Sequence, residues 1–299
     1  MYSIGVDIGG TSIKYGLVAG DATIIEKRSI PFPKTDGRHV AKAIGDSVRE
    51  LLKDRGIWFD DIDDIGVIIP GGLNSEHKVV LDAFNLGFHD VPFYGMLKEE
   101  FPDTPLALGN DADAAALAEF HCGAFKGYSS GVLFTLGTGI GGGIILDGKL
   151  FTGGMGLGSE LGHSYLVDGG VQCTCGNKGC IESYCSATAL IRDYKETTGS
   201  TENIGAREII EKATAGDAKA IEVWERYIDH LGSACASVFN ILNPEVIAIG
   251  GGVSGAGDVL FKPLVENAQK KIFFKTAQIV IVPASAGNDA GIIGAARLQ

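Results

Sequence analysis

The chain has 299 residues, 45% of them hydrophobic and 21% charged, a balance that excludes disordered and fibrous classes and, at roughly 100–200 residues per domain, points to two domains. Its 25 Lys and Arg against 37 Asp and Glu leave a net charge of −12, the wrong sign for a protein that tracks a phosphate backbone, so a small-molecule partner is expected and nucleic acid is not. Glycine stands out at 44 residues, and with nine prolines and no Gly-X-Y period these glycines must serve specific backbone geometry.

The opening Met1–Asp7 holds neither the basic nor the apolar region of a secretory leader, and no apolar run reaches the roughly 18 residues of a membrane helix. A cytoplasmic location without membrane attachment is the expectation. Residues 3–8, 12–19 and 22–30 are β-branched runs punctuated by Gly9-Gly10 and Gly20-Asp21, which predicts three antiparallel strands. Val40, Ile44, Val48, Leu51 and Leu52 then keep helical spacing over 39–55. A strand follows at 65–69, a short helix at 93–101, a strand at 106–108 and an alanine-rich helix from Asp111.

The same order recurs. Strands are expected at 132–136, 143–146 and 149–151, the last two joined by the hairpin signal Asp147-Gly148. Trp224, Ile228, Leu231, Cys235 and Val238 mark the longest helical stripe, and strand 246–249, helix 259–271, strand 279–282 and helix 291–298 close the chain. Both halves read βββαβαβα, and Gly109-Asn110-Asp111-Ala112 is echoed by Gly287-Asn288-Asp289-Ala290 at the matching place. The pattern predicts an α/β protein of two related domains, residues 1–120 and 121–299, facing one another across a cleft. The second would carry an insertion at about 153–182, and the last helix would be free to pack on the first.

Two glycine-rich turns occupy equivalent positions: Gly9-Gly10-Thr11 after Asp7, and Gly137-Thr138-Gly139 opening a run to Gly143. Glycine lets consecutive amides face one side and removes the Cβ that would hold off a phosphate, so the pair could clamp a polyphosphate; plain hairpin turns are the alternative. The second loop contains G-x-G-x-x-G, but a strand follows where a dinucleotide site needs a helix. Gly250, Gly252 and Gly255 stand between strand and helix, yet the next strand ends Ile281-Val282-Pro283 with no acid to hold a ribose. That disfavours a nicotinamide dehydrogenase and leaves Gly250-Gly251-Gly252 as a close approach to a nucleoside, or a helix entry only.

His163, Cys173, Cys175 and Cys180 offer one imidazole and three thiols, enough for a closed tetrahedral zinc site of structural type, with free buried cysteines as the alternative. Asp111, at a helix start, is either an N-cap or a general base that takes a hydroxyl proton during phosphoryl transfer. Glu160, His163 and Glu182 would complete a polar set for hydroxyl groups.

Taken in order, Asp7-Ile8-Gly9-Gly10-Thr11, Asn110-Asp111-Ala112, Gly137-Thr138-Gly139-Ile140-Gly141-Gly142, Glu160-Leu161-Gly162-His163 and the Cys173–Glu182 run resemble the ROK family (repressors, open reading frames, kinases). Within it the chain, including Asn85-Leu86-Gly87, is most similar to bacterial ATP-dependent glucokinases. The resemblance covers essentially the whole chain. It implies a two-domain actin-like (ribonuclease H-like) fold, zinc on His163, Cys173, Cys175 and Cys180, and Asp111 as base on the 6-hydroxyl of a hexose. It also implies sugar contacts from Asn85, Asn110, Glu160, His163 and Glu182. Gly9, Gly10, Thr11, Gly137, Thr138 and Gly139 would face the nucleotide phosphates, Gly250 and Gly251 the adenosine, and Asp7 would orient hydrated magnesium held with ATP. Homodimers or homotetramers are implied as well. The sequence departs from the glucokinase pattern at Gly72 and Phe88, near the implied sugar side. Other acceptors (mannose, fructose, allose, N-acetylmannosamine) and a non-catalytic sugar sensor of the same family are the alternatives to a glucose kinase.

Overall fold

The structure is a computed structural model and describes residues 2–299. The chain divides into two compact units. The first runs through Lys126 and adds Leu150–Ser159 and Ala286–Gln299; the second comprises Gly127–Lys149 and Glu160–Ser285. The crossover thus lies at Lys126/Gly127 rather than after residue 120, and the last helix, with a short piece of the expected insertion, belongs to the first unit.

In the first unit, β1 (Tyr2–Ile8), β2 (Ser12–Ala19) and β3 (Ile24–Pro31) form an antiparallel meander, and β4 (Ile62–Ile69) and β8 (Leu106–Asn110) add in parallel to give the order β3-β2-β1-β4-β8. Helix α1 (Gly37–Arg55) starts where the Asp36 side chain accepts the His39 amide and ends at Gly56 in the left-handed region. It buries the stripe Val40, Ile44, Val48, Leu51 and Leu52 that the spacing predicts. Three short strands that the sequence pattern does not reveal, β5 (Gly72–Leu73), β6 (Val80–Ala83) and β7 (Phe88–Val91), make a separate sheet. After it come α2 (Phe93–Glu100) and α3 (Asp111–Cys122).

The second unit repeats the sheet plan: β9 (Gly131–Leu136), β10 (Ile140–Leu146), β11 (Lys149–Leu150), β12 (Val246–Gly250) and β13 (Ile281–Pro283) order as β11-β10-β9-β12-β13. Strand β10 begins at Ile140, so Gly141–Gly143 are strand, and only Gly137–Gly139 form the loop. Helices α4 (Glu182–Cys185), α5 (Ala187–Thr198), α6 (Ala206–Thr214), α7 (Ala218–Leu242) and α8 (Asp258–Lys271) cover this sheet. Each unit has its own apolar core, one around Val6, Ile44 and Phe93, the other around Phe134, Trp224 and Leu260. Among the described residues no helix is long and apolar enough to cross a membrane.

The closing helix α9 (Ala290–Ala295) lies on β1 and β4 with backbone against backbone. A Cβ on Gly66 would stand 1.7 Å from the Ala295 carbonyl oxygen, and one on Gly5 1.9 Å from that of Ile292. On the helix's other side, a Cβ on Gly294 would stand 1.8 Å from the Ala114 carbonyl of α3. Gly66→Ala is therefore expected to destabilise the protein by about 3 kcal/mol, the upper range of overpacking. Gly56→Ala, at φ +65° with open space around it, should cost only about 1 kcal/mol. Urea midpoints compare the two; equal losses would mean that α9 does not rest on glycine.

Candidate active site

In the first unit the β1–β2 turn and the end of β8 carry the ionisable groups. Asn110 is the N-cap of α3, its side-chain oxygen accepting the Asp113 amide at 2.6 Å. Asp111, released from capping, is the first residue of the helix. Its carboxyl reaches solvent, yet it stands among enough protein that burial raises its pKa above 3.8, against the lowering effect of the local amides. Asp7 shifts the same way: burial is the main cause, Lys14 opposes it, and the charge of Asp111 adds to it. Gly291 makes room for this carboxyl, since a Cβ there would come within 2.6 Å of Asp7 Oδ2.

The turn that follows is closed by the Gly9 amide on the Ser12 carbonyl at 2.9 Å. A Cβ on Gly10 would stand 3.5 Å from Asn85, an ordinary van der Waals contact, so the glycine turn and the Asn85 segment are adjacent. Phe88 packs into the core at 5.6 Å from Phe93 and 6.4 Å from Phe32, ring centre to ring centre. It is therefore a core residue, not a sugar-facing one.

In the second unit the loop Gly137–Gly139 sits over the start of α5. The Ala187 amide donates to the Gly137 carbonyl and the Thr188 hydroxyl to the Thr138 carbonyl, both at 2.8 Å. Glu182 closes the loop's far end, its Oε2 accepting the Ile140 amide at 2.9 Å. Gly139 is required there, because a Cβ would stand 2.4 Å from that oxygen. Gly251, at φ +81°, presses on the other end, where a Cβ would meet the Leu136 carbonyl at 2.4 Å. The two glycine clusters that the sequence pattern separates are thus in contact. Beside them α6 and residues 252–259 enclose a recess of about 640 Å³, lined by Arg207, Ile210, Thr214, Gly252, Gly255 and Val259. That volume suits a drug-sized ligand such as a nucleoside. Arg207 and Thr214 belong to no sequence motif and could be found only from the fold.

His163, Cys173, Cys175 and Cys180 converge, their ligand atoms all within 4.8 Å of one another. Cys175 and Cys180 Sγ are 3.7 Å apart, as are Cys173 Sγ and His163 Nδ1. A tetrahedron built on zinc–sulfur bonds of about 2.3 Å and zinc–nitrogen bonds of about 2.0 Å has edges of about 3.8 and 3.6 Å, so the donor set fits zinc closely and is far too open for a disulfide. Its charge fits as well. Burial pushes the Cys173 thiol up, but hydrogen bonds from Cys175, His163 and Ser183 outweigh it and bring it down to about 6. Burial and the neighbouring thiols push Cys180 up to about 12. A cluster of this kind carries all its thiolates only around a cation.

The ligand loop is seated on β10 by reciprocal glycines. A Cβ on Gly142 would strike Leu161, and one on Gly162 would stand 2.3 Å from the Ile140 carbonyl. This fixes Glu160 and His163 to the strand that follows the glycine loop. Glu182 bridges the same elements, its second oxygen accepting the Thr174 hydroxyl at 2.9 Å. Thr174 is a partner that the sequence reading does not single out, and Glu182 braces the two loops. Asn85, Asn110 and Asp111 thus stand in the first unit, and Glu160, His163 and Glu182 in the second.

A family model for the ROK family matches residues 3–299. The glucokinase of Halalkalibacterium halodurans is 36% identical over 306 residues, covering 97% of this chain and 92% of its own. Among solved structures, a ROK hexokinase from Thermus thermophilus superposes with a TM-score of 0.90 at 34% identity, covering 99% of this chain and 97% of its own. A ROK glucokinase from Streptomyces griseus, in complex with glucose and AMPPNP, gives 0.77 at 30% identity over 100% of this chain and 99% of its own. With its repeated βββαβαβα plan being that of the two-domain actin-like fold, the chain belongs to the ROK family.

Proposed function

We propose that this protein is an ATP-dependent hexose kinase that transfers the γ-phosphoryl group of ATP to the 6-hydroxyl of a hexose, with glucose as the expected acceptor. The observation that carries the reading is Asp111: a carboxylate just past the end of edge strand β8, relieved of helix capping by Asn110 and without a basic partner among its pKa-shifting neighbours. The full-length similarity to glucokinases agrees with it. Asp111 accepts the proton of the 6-hydroxyl as that oxygen bonds to the γ-phosphorus and the bond to the β,γ-bridging oxygen breaks, which releases ADP. Asn85 and Asn110 on the first unit, and Glu160, His163 and Glu182 on the second, are the proposed hydroxyl contacts.

Gly9, Gly10 and Thr11, with Gly137, Thr138 and Gly139, are proposed to present backbone toward the phosphates, and Gly250 and Gly251, which lead into the recess lined by Gly252 and Gly255, to lie near the nucleoside. Asp7, whose carboxyl is held up by burial and by Asp111, is placed to orient magnesium through water when MgATP is bound. A zinc ion on His163, Cys173, Cys175 and Cys180 would have four protein ligands and no open position, so it would brace the loop rather than act as a Lewis acid. With Nδ1 turned to the thiols, His163 keeps Nε2 for a sugar hydroxyl.

Asp111→Asn is expected to lower kcat by about 10²- to 10⁴-fold with little change in hexose KM; near-normal turnover would sink the assignment. Because the Asp111 pKa is raised, kcat should fall on acidification at a pH above that where an exposed aspartate titrates. The sign for stability is opposite: a carboxyl with a raised folded pKa stabilises only while protonated, so Asp111→Asn should be more resistant to unfolding at pH 7, an advantage that fades in acid. Metal analysis is expected to find about one zinc per chain. Chelation should release it and lower the melting temperature, whereas protein that stays metal-free and equally stable would remove the brace. A panel of glucose, mannose, fructose, allose, N-acetylmannosamine and N-acetylglucosamine with MgATP, read by ADP release, tests the acceptor. Turnover of none would favour a sugar sensor.

A further inference from the structure

The hairpin between β5 and β6 turns through Asn74–Val79, and His77 occupies it at φ +53°, a left-handed conformation that disfavours residues with a Cβ. The turn is held by other groups. The Asn74 side chain accepts the Lys78 and Val79 amides at 2.8 and 3.0 Å, and the His77 amide donates to the Asn74 carbonyl at 2.8 Å. The imidazole is left for another purpose. Its Nδ1 lies 3.2 Å from the Leu108 carbonyl oxygen and its Nε2 3.0 Å from that of Gly156. A carbonyl oxygen only accepts, so a ring N–H makes such a contact, and the ring stands between acceptors on two separate segments.

The two carbonyls belong to elements that matter. Leu108 lies on β8, which runs directly into Asn110 and Asp111; Gly156 lies on the loop 151–159, which runs directly into Glu160. That loop is folded on itself by the Gly158 amide on the Thr152 carbonyl at 2.7 Å and the Ser159 hydroxyl on the Phe151 carbonyl at 2.6 Å. Apolar packing does little to hold its tip, since Met155 is 72% and Leu157 52% exposed. Gly156, at φ +67°, comes so close to the hairpin that a Cβ would stand 2.7 Å from the Ser75 carbonyl.

We propose that His77 is a positioning residue that pins the loop 151–159 to strand β8 and so holds the sugar-side segments leading to Asp111 and Glu160. The pin stands on geometry, and its effect on the sugar rests on the hexose-kinase reading. Its charged surroundings are few. Glu76 and Lys78 flank it and pair with each other at 3.0 Å, the loop 151–159 and strand β8 contain no ionisable side chain, and Asp111 is the next charge along from β8.

The test uses His77→Gly, because glycine suits the left-handed turn and keeps the fold. Amide hydrogen exchange over 153–158 is compared between the natural protein and the variant at one pH. His77→Gly should lower protection there by about tenfold, the weight of one hydrogen bond, with an unfolding midpoint as high or higher. Hexose KM should rise several-fold in the variant with ATP KM steady. A variant with natural protection and natural hexose KM overturns the pin. If the natural protein phosphorylates no hexose, the kinase reading fails and the exchange result alone decides the pin.

Discussion

Where α9 lies against β1 and β4 no side chain separates helix from sheet, and the closest approach of the first unit is made by main chain alone. Gly5 and Gly66 on the strands and Gly294 on the helix each forgo a Cβ that would overlap a carbonyl oxygen by more than an ångström. Burial of so much backbone is tolerable because α9 and the strands satisfy their own hydrogen bonds. The consequence is functional as well as structural. Through Gly291 the same helix makes room for the Asp7 carboxyl, so the group proposed to orient magnesium is positioned by the contact that closes the fold. The second unit uses the same device on a smaller scale, with Gly142 and Gly162 letting the zinc-ligand segment rest on β10.

Both units also leave negative charge uncompensated at their sites. Burial raises both Asp7 and Asp111, and the charge of Asp111 raises Asp7 further against the pull of Lys14. In the Cys/His cluster of the second unit Cys173 is lowered and Cys180 raised, the response expected of groups that cannot all ionise together. Stability alone would favour a partner cation or an apolar substitute at either place. Crowded titratable groups of this kind mark functional sites, and each would be relieved by a divalent cation, one proposed to arrive with a nucleotide and the other to reside on the thiols.

The sheet plan and the Cys/His cluster were legible because each leaves a periodic or spaced trace. Alternation and turn residues mark β1 to β3, the 3.6-residue stripe marks α1 and α7, and Cys173-Thr174-Cys175 with Cys180 is a ligand spacing in its own right. What was not legible is long-range. The sheet β5-β6-β7 is built of strands of two to four residues, too short to show a period. The beginning of β10 was hidden because Gly141 and Gly142, read as loop by composition, lie in a strand where Leu161 needs the space at Gly142. Thr174 as a partner of Glu182, and Arg207 and Thr214 on the recess, depend on packing between distant segments that no local pattern encodes.

The echo of Gly109-Asn110-Asp111-Ala112 in Gly287-Asn288-Asp289-Ala290 shows how far a repeat can be trusted. Both stand after the last strand of a repeat and before its last helix, so the topology they signal is real. Their chemistry has diverged. Asn110 caps a twelve-residue helix and frees Asp111 to stand unpaired, whereas no side chain caps α9 and Asp289 is spent on an ion pair with Lys27 at 2.7 Å. A carboxylate neutralised by lysine has no reason to take a proton from a hydroxyl, and one held above its ordinary pKa without a partner does. Of the two aspartates at this place in the repeat, the local hydrogen bonds therefore favour Asp111 as the proposed base.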